Sequence, residues 1–212
     1  MQTPSDKTVR FVIKPAVFIA CLLPLVMLIV GLINDTLGAN PVEAMTHETG
    51  EWTLRFLLIT LLVTPARQIL KLTWLIKFRR MLGLFAFFYA TLHFITYIWF
   101  EQYFDWAEIV KDIIERPFIT VGFAAFVMLI PLALTSNKMM MRRLKKNWVK
   151  LHKLIYVIAV LGVLHFIWLV KADYLQPFIY SAILLVLLSY RAYQQRKSAT
   201  PVEDRNCRTS SN

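Results

Sequence analysis

The sequence predicts an all-α membrane protein, a polytopic bundle of six transmembrane helices with both termini on the cytoplasmic side. Three observations carry that expectation. Hydrophobic residues make up 58% of the 212-residue chain and charged residues only 17%. The apolar residues fall into blocks of roughly the ~20 residues that cross a bilayer, at 11–33, 51–70, 80–100, 117–135, 149–170 and 174–193. The connections between blocks alternate in charge. Backbone groups in hydrocarbon must be satisfied within their own segment, so each block reads as a helix.

The first block, Phe11–Ile33, follows Lys7, Arg10 and Lys14. Its apolar core is long for a signal peptide and its exit lacks a small-residue cleavage pattern, so it reads as a retained helix. Asp35, Glu43, Glu48 and Glu51 make the next connection acidic. Arg67, Lys71, Lys77, Arg79 and Arg80 then mark a basic connection after the second block. Beyond the third block, Glu101, Asp105, Glu108, Asp112 and Glu115 are acidic again, and the stretch DWAEIVKDIIERP at 105–117 places Trp106, Ile109, Val110, Ile113 and Ile114 at helical spacing. It reads as a short surface helix stopped by Pro117, resting on the membrane or docking a partner. The fourth block leads into Lys138, Arg142, Arg143, Lys145, Lys146 and Lys150. Lys and Arg mark cytoplasmic loops, so the basic connections and both termini face inward. Residues 1–10 form a cytoplasmic N-terminus, 11–193 the transmembrane domain, and 194–212 a polar tail expected to be disordered, with Arg191, Arg196, Lys197, Arg205 and Arg208 at that end. The net charge of +11 is therefore a topology signal and not a nucleic-acid patch. Cys21 and Cys207 imply no disulfide framework.

Four histidines stand out. His47 falls in an outer loop, where solvation is expected. His93 lies in the third block, roughly 20 Å from Arg80 at 1.5 Å per residue, and His165 in the fifth precedes Lys171 at a matching height. His152 lies at the inner boundary between Lys150 and Lys153. Two imidazoles at one depth on two outward-running helices suit axial ligation of a haem. Gly83, Ala86, Ala90 and His93 form a stripe of small residues at helical spacing, and Gly162 precedes His165 by a turn; such a shallow face accommodates a macrocycle. The same features also serve close helix packing and interhelical hydrogen bonds.

The stretches GANPVE (38–43), HETGEWTLRFLLITLLVTPAR (47–67), RRMLGLFAFFYATLHFITYIW (79–99) and NWVKLHKLIYVIAVLGVLHFIW (147–168) resemble the MsrQ family. These are haem-binding membrane subunits of bacterial periplasmic methionine-sulfoxide reductase systems, within the ferric-reductase-like transmembrane superfamily. The resemblance covers nearly all of 10–193. It implies haem b, a flavin mononucleotide (FMN), a place in the bacterial inner membrane, and transfer of electrons to a periplasmic molybdopterin partner, MsrP. His93, His152 and His165 match the family's histidines. The wider superfamily stacks two haems between helices three and five, but here Arg79 and Arg80 stand where an inner partner for His152 is expected. A guanidinium is a poor iron ligand, though it suits a propionate or a flavin phosphate. An outer haem is therefore expected, and a second haem is in doubt. Thirteen residues also leave His152 about 140° around an ideal helix from His165. His152 keeps three readings: second-haem ligand, flavin or quinone contact, or a satisfied interfacial histidine.

Arg55, one turn into the second helix, is at outer-haem height and is a candidate propionate partner; snorkelling to the interface is the other reading. Arg67, with the level of Arg79 and Arg80, gives the inner end a positive face suited to a flavin phosphate, unless those charges serve topology alone. No glycine-rich nucleotide loop occurs, and the polar residues after the sixth block are too few for a flavin–nicotinamide domain. The chain is thus expected to need an inner electron donor, the quinone pool or a flavin reductase, and to be an electron-transfer subunit without a catalytic site of its own. A self-contained ferric or quinone reductase, or a small histidine-dependent proton or ion transporter, are the alternatives.

Overall fold

The computed structural model describes residues 4–170 and 174–199, and among them every regular element is helical. A short α1 (Asp6–Thr8) and a π-helical turn (Val9–Ile13) lead into α2 (Lys14–Ile33). Then come α3 (Pro41–Ile69), a 3-10 turn (Thr73–Leu75), α4 (Ile76–Thr96), a π-helical turn (Tyr97–Glu101), and α5 (Trp106–Glu115). The chain continues through α6 (Pro117–Leu134), α7 (Lys138–Leu144), α8 (Lys146–His152), α9 (Leu154–Leu169) and α10 (Leu175–Ala199). The fold is an all-α polytopic membrane bundle.

Five helical runs are long and apolar enough to cross a membrane: Asp6–Ile33, Thr73–Glu101, Pro117–Leu134, Lys146–Leu169 and Leu175–Lys197. The second expected span, α3, is not among them. Glu51, Arg55 and Arg67 lower its hydropathy, yet α3 buries Leu54, Phe56, Leu57, Leu58, Thr60, Leu61, Val63 and Pro65 and packs on α2, α4, α9 and α10. A helix enclosed by other helices need not be apolar all round, because little of its surface meets lipid. Its start also differs from the sequence reading. Asn40 caps it by accepting from Glu43 N, with Pro41 in the first turn, a standard helix-start arrangement. His47, expected in a loop, therefore stands on a helix, though it remains exposed. At the other end, α10 runs to Ala199, so the first residues of the expected tail are helical. Lys171, Arg205, Cys207 and Arg208 lie outside the described residues.

Connectivity gathers the acidic connections at one end of the bundle and the basic ones at the other. Two helix pairs form the centre: α3 on α4, and α6 on α9. Small residues bring each pair close. A Cβ on Gly83 would sit 3.7 Å from Thr60 Cγ2, and Ala86 and Ala159 are 0% exposed. Lipid is as apolar as leucine, so this close packing supplies attraction that burial alone does not.

The first helix is fastened to the centre by a polar device. Pro24 interrupts α2; its ring lacks an N–H and crowds the preceding turn, which opens the hydrogen-bond ladder. The Tyr89 hydroxyl of α4 enters that opening. It donates to Cys21 O at 2.9 Å and accepts from Leu25 N at 3.1 Å, restoring the Cys21–Leu25 rung through itself. Tyr89 is 1% exposed and is packed by Phe56, Phe88 and Trp52. Tyr89→Phe keeps the ring and leaves both backbone groups without their partner, which costs about 1–3 kcal/mol. A lower thermal midpoint in detergent is the expected result; an unchanged midpoint would show that α2 closes its own ladder.

Candidate functional site

His93 comes from the last turn of α4 and His165 from near the end of α9, so each central helix pair contributes one imidazole at the acidic end. Their ring centroids are 6.1 Å apart and their planes are inclined at 75°. His93 Nδ1 donates to Thr46 O at 2.9 Å, and His165 Nδ1 donates to Phe118 O at 2.7 Å. A carbonyl can only accept, so the proton of each neutral ring sits on Nδ1 and the lone pair on Nε2. Neither Nε2 has a hydrogen bond among the described residues. A backbone carbonyl behind the ring, orienting it and fixing its tautomer, is the arrangement metal-binding histidines use.

Two glycines let the rings reach these positions. A Cβ on Gly122 of α6 would lie 2.7 Å from His165 Nδ1, and one on Gly50 of α3 would lie 3.1 Å from His93 Nδ1. Each imidazole occupies the space that a side chain would take. Both glycines are absent from the candidate residues read from the sequence. The available signal was Gly122 inside the fourth apolar block and Gly50 at the edge of the second, in a chain with only six glycines. Of the stripe read from sequence, Ala90 and Gly162 do line the site, whereas Gly83 and Ala86 pack α4 on its neighbours.

Around the pair lies a cavity of about 490 Å³, walled by α3, α4, α6 and α9. Leu57, Phe94, Phe126, Leu129 and Ile158 give it apolar walls, and Arg116 stands among its lining residues. The Arg116 guanidinium is held by Asp112, Nε to Oδ1 at 3.0 Å. Asp112 is 3% exposed and also accepts from Tyr97 and Gln102. The π-helical turn after α4 thus ties Tyr97 to α5, and Asp112 turns inward while Trp106, Val110 and Ile114 of α5 remain exposed. Arg116 is not among the candidate residues read from the sequence.

Arg55 takes a different place from the one expected. It forms an ion pair with Glu51, donates from Nε to Tyr180 OH at 2.9 Å, and lies 4.6 Å from the Trp52 ring centroid. It does not line the cavity. Successive residues on a helix diverge by about 100°, so Leu54 and Leu57 face the histidines while Arg55 faces α10. At the basic end, Arg79 lines a second cavity, and Arg67 and Arg80 lie outside it. His152 is away from both cavities. It stacks on Trp148 at 3.9 Å, donates from Nδ1 to Trp148 O at 3.1 Å and approaches Ser136 Oγ with Nε2 at 3.5 Å. The ring is thus stacked and hydrogen-bonded, and among the described residues no second imidazole faces it.

The pair fits a planar metal macrocycle. Two metal–imidazole bonds of about 2 Å, plus about 1 Å from each nitrogen to its ring centre, put centroids roughly 6 Å apart, as observed. Rings inclined to one another can still share the ligation axis, since each plane contains that line at any mutual rotation. A family model described as "Ferric reductase like transmembrane component" matches residues 49–163. The chain is 52% identical over 204 residues to the "Protein-methionine-sulfoxide reductase heme-binding subunit MsrQ" of Herminiimonas arsenicoxydans, covering 93% of this chain and 94% of that protein. The chain belongs to the MsrQ family. Another MsrQ, from Rhodospirillum rubrum, is 51% identical over 187 residues, with 86% and 90% covered. A third, from Xanthomonas oryzae pv. oryzae (strain MAFF 311018), is 52% identical over 176 residues, with 79% and 81% covered. No solved structure matches. Membership in this MsrQ and ferric-reductase-like group, with the five long apolar helices, makes the chain a multi-pass membrane protein.

The glycines provide a direct check. Gly122→Ala pushes the His165 ring off Phe118 O and is expected to reduce retained porphyrin per chain several-fold, judged by absorbance against protein. Gly83→Ala, where the methyl meets Thr60 at ordinary contact distance, is expected to leave that ratio unchanged.

Proposed function

We propose that the chain is a b-type haem electron-transfer subunit that passes electrons across the bacterial inner membrane to a periplasmic methionine-sulfoxide reductase, supporting repair of oxidised periplasmic proteins. One observation carries the reading: two imidazoles 6.1 Å apart, each fixed through Nδ1 by a backbone carbonyl. Haem, when bound, supplies one-electron redox chemistry whose potential follows ligands, burial and neighbouring charge. The chain's own residues do the rest. His93 and His165 would hold the metal, Gly50 and Gly122 make room for their rings, and apolar walls would flank the macrocycle. Arg116, anchored on Asp112, is the cation placed to meet an anionic edge of the macrocycle, the role sequence reasoning gave to Arg55. Fixed Nδ1 bonds also favour ligation over proton relay, since a relay needs both ring nitrogens to exchange protons.

Charge supports an orientation. Lys138, Arg142, Arg143, Lys145, Lys146 and Lys150 favour the basic end in the cytoplasm, with α3 as a sixth crossing helix, and the acidic end with the histidine pair toward the periplasm. The periplasmic acceptor is the molybdopterin subunit MsrP. The donor at the basic end is the quinone pool or a flavin reductase, and FMN belongs at that end. One haem per chain is the reading supported by the histidine pair; the contacts of His152 favour an interfacial role over ligation.

Purified protein is expected to show a Soret band and a reduced α-band, both lost in His93→Ala and in His165→Ala. His152→Ala is expected to keep them. Intact bands in both of the first two variants would contradict the assignment.

A further inference from the structure

The short helix α5 is divided lengthwise into three sectors. At about 100° per residue, counted from Trp106, the side chains of Trp106, Val110 and Ile114 span roughly 0–80°. Lys111, Glu115 and Glu108 span roughly 140–200°, and Asp112, Ile109 and Ile113 roughly 240–340°. Asp112 and Ile109 are 3% and 4% exposed, so the third sector faces the bundle. Trp106, Val110 and Ile114 are 63%, 55% and 74% exposed, an apolar sector that the described residues leave open. A helix with one side on protein, one apolar and one charged fits the corner where bundle, lipid and water meet.

Its attachments fix its height. The turn before α5 is tied to the spanning run Thr73–Glu101, where Phe104 N donates to Ile98 O at 3.0 Å. Tyr97 of the same run donates to Asp112 Oδ2 at 3.1 Å. At the other end Arg116 passes directly into α6, and Thr120 of α6 donates to Arg116 O at 3.2 Å. A ten-residue helix is about 15 Å long. Fastened to two spanning helices, it lies along the membrane surface and does not stand away from it.

The open sector also continues a surface that already meets lipid. Trp99 and Phe100, stacked at 5.6 Å, end the spanning run and are 55% and 36% exposed. The Phe104 ring lies 5.9 Å from Trp99 and 6.4 Å from Trp106, so the aromatic surface passes from α4 onto α5 without a break. Tyr103 and Phe104 take φ of 47° and 61°, which bulky side chains rarely adopt; the turn they make leaves Phe104 between the two tryptophans. Rings of this kind collect at the headgroup level of a bilayer.

We infer that the Trp99–Phe104–Trp106 cluster and the apolar sector of α5 form a lipid-binding surface, seated at headgroup level in the leaflet at the acidic end of the bundle. The lipid it fits is zwitterionic. Glu108 is paired with Lys111 at 3.2 Å and Asp112 with Arg116 at 3.0 Å, whereas Asp105 and Glu115 have no ion pair among the described residues, so anionic headgroups are repelled. This surface requires only that the chain spans a membrane and is independent of haem binding. Ile113 and Arg116 line the histidine cavity, so the helix seated on lipid also forms part of that cavity's wall.

Full-length protein, with both native cysteines replaced by alanine, is reconstituted into phosphatidylcholine vesicles and carries a nitroxide on Val110→Cys, Ile114→Cys, Lys111→Cys or Glu115→Cys in turn. Collision with oxygen, which partitions into lipid, is compared with collision with a water-soluble nickel chelate. The oxygen-to-nickel ratio is expected to be several-fold higher at 110 and 114 than at 111 and 115. Equal ratios at all four positions overturn the assignment. So does a water-like ratio at 110 that becomes protected only when the periplasmic reductase subunit is added, since the face is then a protein-docking surface. Exchanging half the lipid for phosphatidylglycerol is expected not to raise the ratio at 110; a several-fold rise contradicts the zwitterionic preference. Because a label can disturb the helix, unlabelled protein is read as well, through tryptophan quenching by phosphatidylcholine brominated near the headgroup. Trp106→Phe, which keeps an aromatic ring, is expected to lose part of the quenched emission, and an unchanged quenched emission counts against the lipid seat.

Discussion

The separation of two imidazoles is the constraint on which the rest of the structure depends. His93 and His165 belong to different helix pairs, so their spacing is set by how α3–α4 meets α6–α9. It is held by contacts from both sides. Thr46 O and Phe118 O fix the rings from behind, and the missing side chains of Gly50 and Gly122 leave space for them. Each orienting group comes from the helix paired with the one that carries the histidine: α3 serves His93 and α6 serves His165. Packing within a pair thus sets the direction of its ring, and packing between pairs sets the gap.

Polar chemistry within the bundle is mostly answered; among the described residues Trp74 Nε1 and Arg191 Nε are the buried side-chain atoms without a hydrogen-bond partner. Arg55 enters a largely apolar helix, but Glu51, Tyr180 and the Trp52 face receive it. Asp112 is nearly inaccessible, yet Tyr97, Gln102 and Arg116 converge on it. Tyr89 spends its hydroxyl on the ladder opened beside Pro24. Unanswered groups in a low-dielectric interior are costly.

The two ends of the molecule therefore differ in kind. At the acidic end the cavity carries the histidine pair and apolar walls, with Glu43, Glu51, Glu101 and Arg116 also lining it. At the basic end the cavity carries two guanidiniums and a glutamine–tyrosine rim. Imidazoles gather at one end and guanidiniums at the other, so the two ends present different chemistry.

Much of this was legible in the chain itself. The apolar blocks, the alternating basic and acidic connections, and the heights of His93 and His165 follow from composition and from a fixed rise per residue, which are local or one-dimensional properties. Azimuth and partner are not. The sequence offered Arg55 as a cavity residue, but the packed bundle turns it to Tyr180 and puts Arg116 among the lining residues. His152 read as a second-haem ligand, a flavin or quinone contact, or an interfacial residue, and its contacts with Trp148 and Ser136 exist only in the folded chain. Gly50 and Gly122 acquire meaning only from rings contributed by other helices. Spacing along a helix determines depth, whereas rotation about it and contacts across it depend on neighbours distant in the chain, and those exist only in the folded bundle.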